Sequence, residues 1–160
     1  MSTHHRWATR ILLAVGSVLL LAAPGIAGAG TSSGDGEDPM VAEATRLDRT
    51  FVELFNARKW DELATTYYAE NAIAVPPSHE PIRGRAAIID YMRGARDAFG
   101  DIEVGPAHKT SANGNLVSIV GNYEGQHGAI RATSHELFER QPDGSLKCTI
   151  DMFGFRDPGR

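Results

Sequence analysis

The chain has 160 residues, with 16 Lys plus Arg against 20 Asp plus Glu and a formal net charge of −4, a length that fits one domain. The acidic balance, with no basic patch interleaved with aromatics, argues against phosphate-backbone binding, so nucleic acid is not an expected partner. Cys148 is the only cysteine, which excludes an internal disulfide and leaves burial to hold the fold.

The first 29 residues read as a secretory signal peptide. Arg6 and Arg10 precede the apolar run from Ile11 to Ala23, and Ala27-Gly28-Ala29 offers a small-x-small cleavage site. Pro24 and the Gly/Ala run after it argue against a membrane anchor. Cleavage after Ala29 removes two arginines and no acid, leaving 14 basic against 20 acidic residues and a net charge of −6. The expectation is a secreted or periplasmic domain that meets a membrane only during export. Residues 30–38 read as a flexible glycine-rich linker, 39–157 as the folded domain and 158–160 as a tail.

Asp38-Pro39 has the form of an N-cap followed by proline at the first helical position. Val41, Ala44, Leu47, Phe51, Leu54 and Phe55 make the apolar stripe of the helix that follows, with Glu43, Arg46, Asp48 and Arg49 assigned to water. Trp60, Leu63, Ala64 and Tyr67 recur at helical spacing and define a second helix, expected to break at Asn71 before a strand over 72–75. Pro76-Pro77 then forces a turn. Ile82-Arg83-Gly84 leads into a third helix marked by Ile88, Tyr91 or Met92, Ala95 and Phe99.

After Gly100 the pattern changes to strands and turns. Asn113-Gly114 signals a hairpin, and strands are expected over 116–124, 130–141 and 146–155, the last pair joined at Asp143-Gly144. Helices followed by an antiparallel meander describe an α+β domain with helices on one face of a curved sheet.

Three stretches carry a resemblance to a known family. The Trp-Asp-x-Leu helix at Trp60, the Pro-Pro turn with the Ile-Arg-Gly-Arg helix start, and the closing segment from Arg140 to Phe153 resemble the SnoaL-like branch of the NTF2-like superfamily, which includes many DUF4440 proteins. The resemblance covers about Val41 to Asp157. It implies a cone built from three N-terminal helices on a curved antiparallel or mixed sheet, with a pocket at the open end, and pairing of two copies through the outer sheet face. It also implies that the loop holding His79 rims the cone.

No zinc spacing, nucleophile elbow, phosphate loop or dinucleotide fingerprint is present, so the expectation is no metal and no cofactor. His79, His108, His127 and His135 lie in different segments without a local metal spacing. The last hairpin is more informative. With Asp143-Gly144 central in its turn, Glu136 faces Asp151, and two buried carboxyl groups would push one pKa upward toward general-base range. A one-residue bulge would instead set His135 against Asp151. Both registers implicate Asp151, and the competing assignment is a solvent-facing acid tied to Arg131, Arg140 or Arg156.

Trp60, Tyr67, Tyr91 and Phe153 are candidate pocket residues, although aromatics at helical spacing also serve as plain core. Asn122 is a further candidate, since an amide on an apolar strand needs partners. A turn at His127-Gly128 sets Asn122 opposite Thr133 and Glu124 opposite Arg131. Three functions fit: a domain that binds a small, largely apolar molecule; an acid/base enzyme of the ketosteroid-isomerase or SnoaL-like kind using Asp151 with His135 or Glu136; and a non-catalytic dimeric interaction module.

Overall fold

A computed structural model describes residues 37–125 and 128–155. The signal-peptide segment, most of the linker, His127 and Arg156 therefore lie outside the described residues. Two helices, a strand pair and a third helix precede the main run of strands: α1 (Pro39–Asn56), α2 (Trp60–Tyr67), β1 (Tyr68–Val75), β2 (Ile82–Arg83), α3 (Arg85–Phe99), β3 (Ile102–Val104), β4 (Lys109–Asn113), β5 (Leu116–Gly125), β6 (Ile130–Arg140) and β7 (Leu146–Phe155). The sheet order is β2-β1-β7-β6-β5-β3, with β4 also on β5. All pairs are antiparallel except β1 with β7, so the sheet is mixed.

The local chemistry of the helices explains their limits. The Asp38 carboxylate accepts from Met40 N at 2.8 Å and satisfies one otherwise orphaned donor at the start of α1. At its other end Asn56 exchanges two hydrogen bonds with the backbone of Ile102, 2.8 and 2.9 Å, which pins the edge strand β3 to α1. α2 ends at Tyr67 rather than Asn71, and Tyr68 already belongs to the strand. Lys147 Nζ donates to the carbonyls of Thr65 and Thr66 at 2.7 and 2.8 Å, a cation placed where the helix dipole is negative.

The core lies between the helices and one sheet face. Phe51, Phe55, Tyr67, Tyr68 and Phe138 form a continuous aromatic cluster; Phe51 and Tyr67 are 4.8 Å apart between ring centres, and Tyr67 and Phe138 are 5.5 Å apart. Trp60 stands edge-on to Phe55 at 5.8 Å but is only half-buried at the rim of this cluster.

The register of the last hairpin is set by two irregularities that compensate. The turn holds three residues, Pro142, Asp143 and Gly144, with Gly144 at φ 85° and Gln141 bonded to Ser145. That offset by one is undone by a bulge at Thr149, because Phe138 pairs with Cys148 whereas Leu137 pairs with Ile150. Thr149 Oγ1 donates to the Leu137 carbonyl at 3.1 Å and holds the bulge. Before it, Leu146 and Cys148 point into the core; after it, the inward set becomes Asp151 and Phe153. A strand's side chains alternate faces, so one extra residue exchanges them. The bulge turns Asp151 inward.

Candidate functional site

β6 and β7 contribute alternate residues, and β5 its last three, Tyr123, Glu124 and Gly125, to a space under α1 and α3. Tyr123 comes from β5, Ala132, Ser134 and Glu136 from β6, and Asp151, Phe153 and Phe155 from β7. Phe51 and Phe55 of α1, Tyr67 of α2, and Met92 and Phe99 of α3 close it, leaving a cavity of about 70 Å³. Its walls run from deeply buried at Tyr67 and Glu136 to exposed at Phe155, which is 51% accessible. The cavity therefore opens toward the Phe99–Phe155 ring pair, whose centres are 5.3 Å apart. Gly125 forms part of this mouth, and an added Cβ there would stand 2.8 Å from the Phe99 carbonyl oxygen, so only glycine lets the end of α3 approach β5 so closely.

Two carboxyl groups oppose each other in this apolar space. Glu136 pairs with Asp151 across β6 and β7; they are 2% and 6% exposed. Tyr68 donates its hydroxyl proton to Asp151 Oδ2 at 2.6 Å. Burial raises the Asp151 pKa to about 6, the Tyr68 bond pulls the other way, and the charge of Asp48 adds to the rise. Glu136 is pushed up to about 9, first by burial and then by the charges of Asp151 and Asp48. Ser134, on the same strand face, offsets part of this, yet neither Ser134 Oγ nor Glu136 Oε2 has a hydrogen-bond partner of normal geometry. Burial thus pushes both carboxyl groups upward, Glu136 the further, so the two acids titrate as a pair whose last proton is held well above the ordinary carboxyl range.

A third acid, Asp48 of α1, is 7% exposed and accepts the hydroxyl proton of Tyr123. The sequence reading that set Asp48 in water is corrected by this placement. The signal was present, because Asp48 falls on the stripe of Ala44, Phe51 and Phe55 at helical spacing. Among the described residues no ion pair involves Asp48, Glu136 or Asp151. No group of three or more His, Cys, Asp or Glu there could hold a metal ion, so the three acids do not converge on one point; Glu136 and Asp151 line the cavity, and Asp48 is joined to it through Tyr123.

The structure brings together four of the sequence candidates: Asp151, Glu136, Tyr67 and Phe153. Others are elsewhere. His135 pairs with Met152, not Asp151, and its exposed ring meets Ser118 Oγ at 2.8 Å on the far sheet face, so the bulged alternative with a histidine at the acid is corrected. Asn122 does face Thr133 and Glu124 does face Arg131, with a 3.3 Å surface ion pair in the second case. Alternation along β5 nevertheless turns Val117, Ile119 and Tyr123 inward and Asn122 outward, which removes Asn122 from the pocket. Trp60 lines a shallow surface hollow with Arg58 and Arg93 instead of the cavity. Tyr91 is half-buried beside Phe153 at 6.2 Å, and exposed His79 stands edge-on to it at 5.4 Å, so both flank the cavity without lining it. Tyr68, Tyr123, Ser134 and Asp48 were not singled out from sequence.

Three helices on one face of a mixed, open sheet, enclosing an apolar cavity with buried acids, define an NTF2-like cone. The chain belongs to the SnoaL-like domain family, which it matches over residues 49–148. Asp48 and Asp151 lie just outside that span and Glu136 within it. Solved structures of similar fold include an NTF2-like protein with a cystatin-like fold from Novosphingobium aromaticivorans, at 18% identity and a TM-score of 0.62, covering 74% of this chain and 82% of that one. A ketosteroid isomerase-like protein from Erwinia carotovora atroseptica matches at 14% identity and a TM-score of 0.60, covering 76% of this chain and all of the other. A proposed dehydratase of the NTF2-like family from Streptomyces avermitilis matches at 16% identity and 0.58, covering 74% and 96%. No curated protein matches the chain in sequence.

Proposed function

We propose that this domain binds a small, largely apolar molecule in the cone and moves a proton on it, with Asp151 as the base and Glu136 as a neutral donor. One observation carries the reading: two buried carboxyl groups, Glu136 and Asp151, oppose each other on the wall of an aromatic cavity, and burial pushes both upward, Glu136 further than Asp151. Tyr68 occupies Asp151 Oδ2, so Oδ1 is the oxygen free to accept a proton. Glu136, neutral and without a partner at Oε2, can donate to an oxygen on the ligand. For a carbonyl compound the step breaks a C–H bond next to the carbonyl. The proton goes to Asp151, and the electron pair moves to the carbonyl oxygen, where the Glu136 hydrogen bond stabilises it. The fold neighbours named for ketosteroid isomerase and dehydratase are in keeping with proton chemistry of this type.

The test is hydrogen–deuterium exchange next to the carbonyl of small cyclic ketones and enones in deuterated buffer, followed by NMR. Exchange above the buffer rate that depends on the protein is expected. A ketone that binds without exchanging would contradict the proton transfer and leave a carrier domain.

Export and pairing belong to the same reading. The arginine-flanked apolar run before Ala29 supports cleavage and export. On the outer sheet face Met152 and Leu116 are 38% and 36% exposed, with half-buried Ile73 and Ile150 in register beside Met152 and Val75. An apolar strip on a sheet face supports association of two copies. Native mass spectrometry of the exported chain is expected to give a dimer of a species beginning at Gly30. A monomer, or an uncut N-terminus, would refute the corresponding half of this proposal.

A further inference from the structure

We propose that Asp48 is a third, positioning member of the site: it fixes the hydroxyl proton of Tyr123 and, by its own charge, keeps the Glu136–Asp151 pair from releasing both protons. The inference rests on the reading of that pair as a proton-handling unit.

Asp48 is on α1, bonded to the cavity-lining Tyr123, and is 7% exposed. An acid so deeply buried is uncommon unless paired with a cation, and no cation pairs with it among the described residues. Its partner is instead the Tyr123 hydroxyl, and Tyr123 lines the cavity. A phenol has one proton to donate. With that proton held by Asp48, the Tyr123 hydroxyl has no second proton to offer a ligand. Glu136 and Ser134, both 2% exposed, remain as the groups with unpartnered polar atoms on the facing wall.

The site therefore contains two phenol–carboxyl couples, Tyr68 with Asp151 and Tyr123 with Asp48, around one unpartnered acid. Three carboxyl groups in one poorly solvated volume cannot all ionise without strong mutual repulsion. Of the pair, Glu136 is pushed up the further, by burial and then by the charges of Asp151 and Asp48. Burial pushes the Asp48 carboxyl up as well, the Tyr123 bond and then Arg49 pull it back toward the ionised form, and Arg96 of α3, stacked over Phe55, is paired with Asp101.

Carbon-detected NMR titration of the side-chain carboxyl groups in the mature chain tests this without any ligand. Asp48→Asn keeps an acceptor for Tyr123 and removes the charge. The Glu136 and Asp151 midpoints are expected to fall, each by about one pH unit. Tyr123→Phe keeps the acid and removes its bond, and the Asp48 midpoint is expected to rise because that bond lowers it. Unchanged Glu136 and Asp151 midpoints in Asp48→Asn, with only a lower melting temperature, would reduce Asp48 to a packing residue and overturn the proposal. Should Asp48→Asn fail to fold, an unmoved Asp48 midpoint in Tyr123→Phe would overturn it instead. Absence of ketone exchange by the wild-type protein would refute the proton-transfer reading, yet these midpoints would still decide the role of Asp48.

Discussion

Asp151→Asn is expected to abolish ketone exchange, lowering its rate by about two to four orders of magnitude, the usual contribution of a positioned general base. The substitution keeps the size of the side chain, and the one amide oxygen can turn to accept from the Tyr68 hydroxyl, so the bulge and the Tyr68 contact survive. What is lost is the basic Oδ1. The same change removes one of the charges that hold the Glu136 proton, and the Glu136 midpoint should drop with it. Exchange at the wild-type rate in Asp151→Asn would exclude Asp151 as the base. The pH profile supplies a second check: with an Asp151 pKa of about 6 and a Glu136 pKa of about 9, activity should rise through the first value and fall through the second.

Glu136→Gln should make the protein more stable at alkaline pH, by about 1–3 kcal/mol, and flatten its dependence on pH. The sign follows from proton binding. Between the ordinary glutamate value of 4.5 and the folded value of about 9, the folded state holds a proton that the unfolded state has released. Stability therefore falls as pH rises across that window, by at most about 1.4 kcal/mol per unit. Asp151 adds to the fall between its ordinary value of 3.8 and about 6. Glutamine is neutral in both states and removes the Glu136 contribution; the lower estimate allows for the amide hydrogen bonds it cannot complete in this pocket. Chemical denaturation of both proteins at several pH values measures the effect. A wild-type stability that rises from acid to alkaline pH would contradict the assignment of a raised Glu136 pKa.

Much of the fold was legible because amphipathic period and turn chemistry are local. The stripe of α1, the Asp38-Pro39 start and the strands from Leu116 onward follow from spacing alone. The facing of Glu136 and Asp151 was also reached from sequence, but through a two-residue turn that the protein does not make. The turn has three residues, and the bulge at Thr149 restores the sum. A bulge is fixed by how two strands bond to each other and leaves little trace in either strand.

The missed residues have physical reasons as well. Asp48 looked solvated because its charge outweighed its position on the stripe. Its burial depends on Tyr123, 75 positions away in the chain. Tyr68 was assigned to a helix end that Lys147, from the last strand, closes early. Asn122 was a different case, since the alternation of Val117 and Ile119 already pointed to Tyr123 as the inward residue.

The most direct test of the account is an infrared difference spectrum between the wild-type protein and Glu136→Gln near neutral pH, in the mature chain without ligand. A protonated carboxyl group in a dry site absorbs apart from carboxylates, so the loss of that one band on substitution is the predicted result. Its absence, with only a carboxylate band lost, would show Glu136 ionised and would contradict a neutral donor facing Asp151.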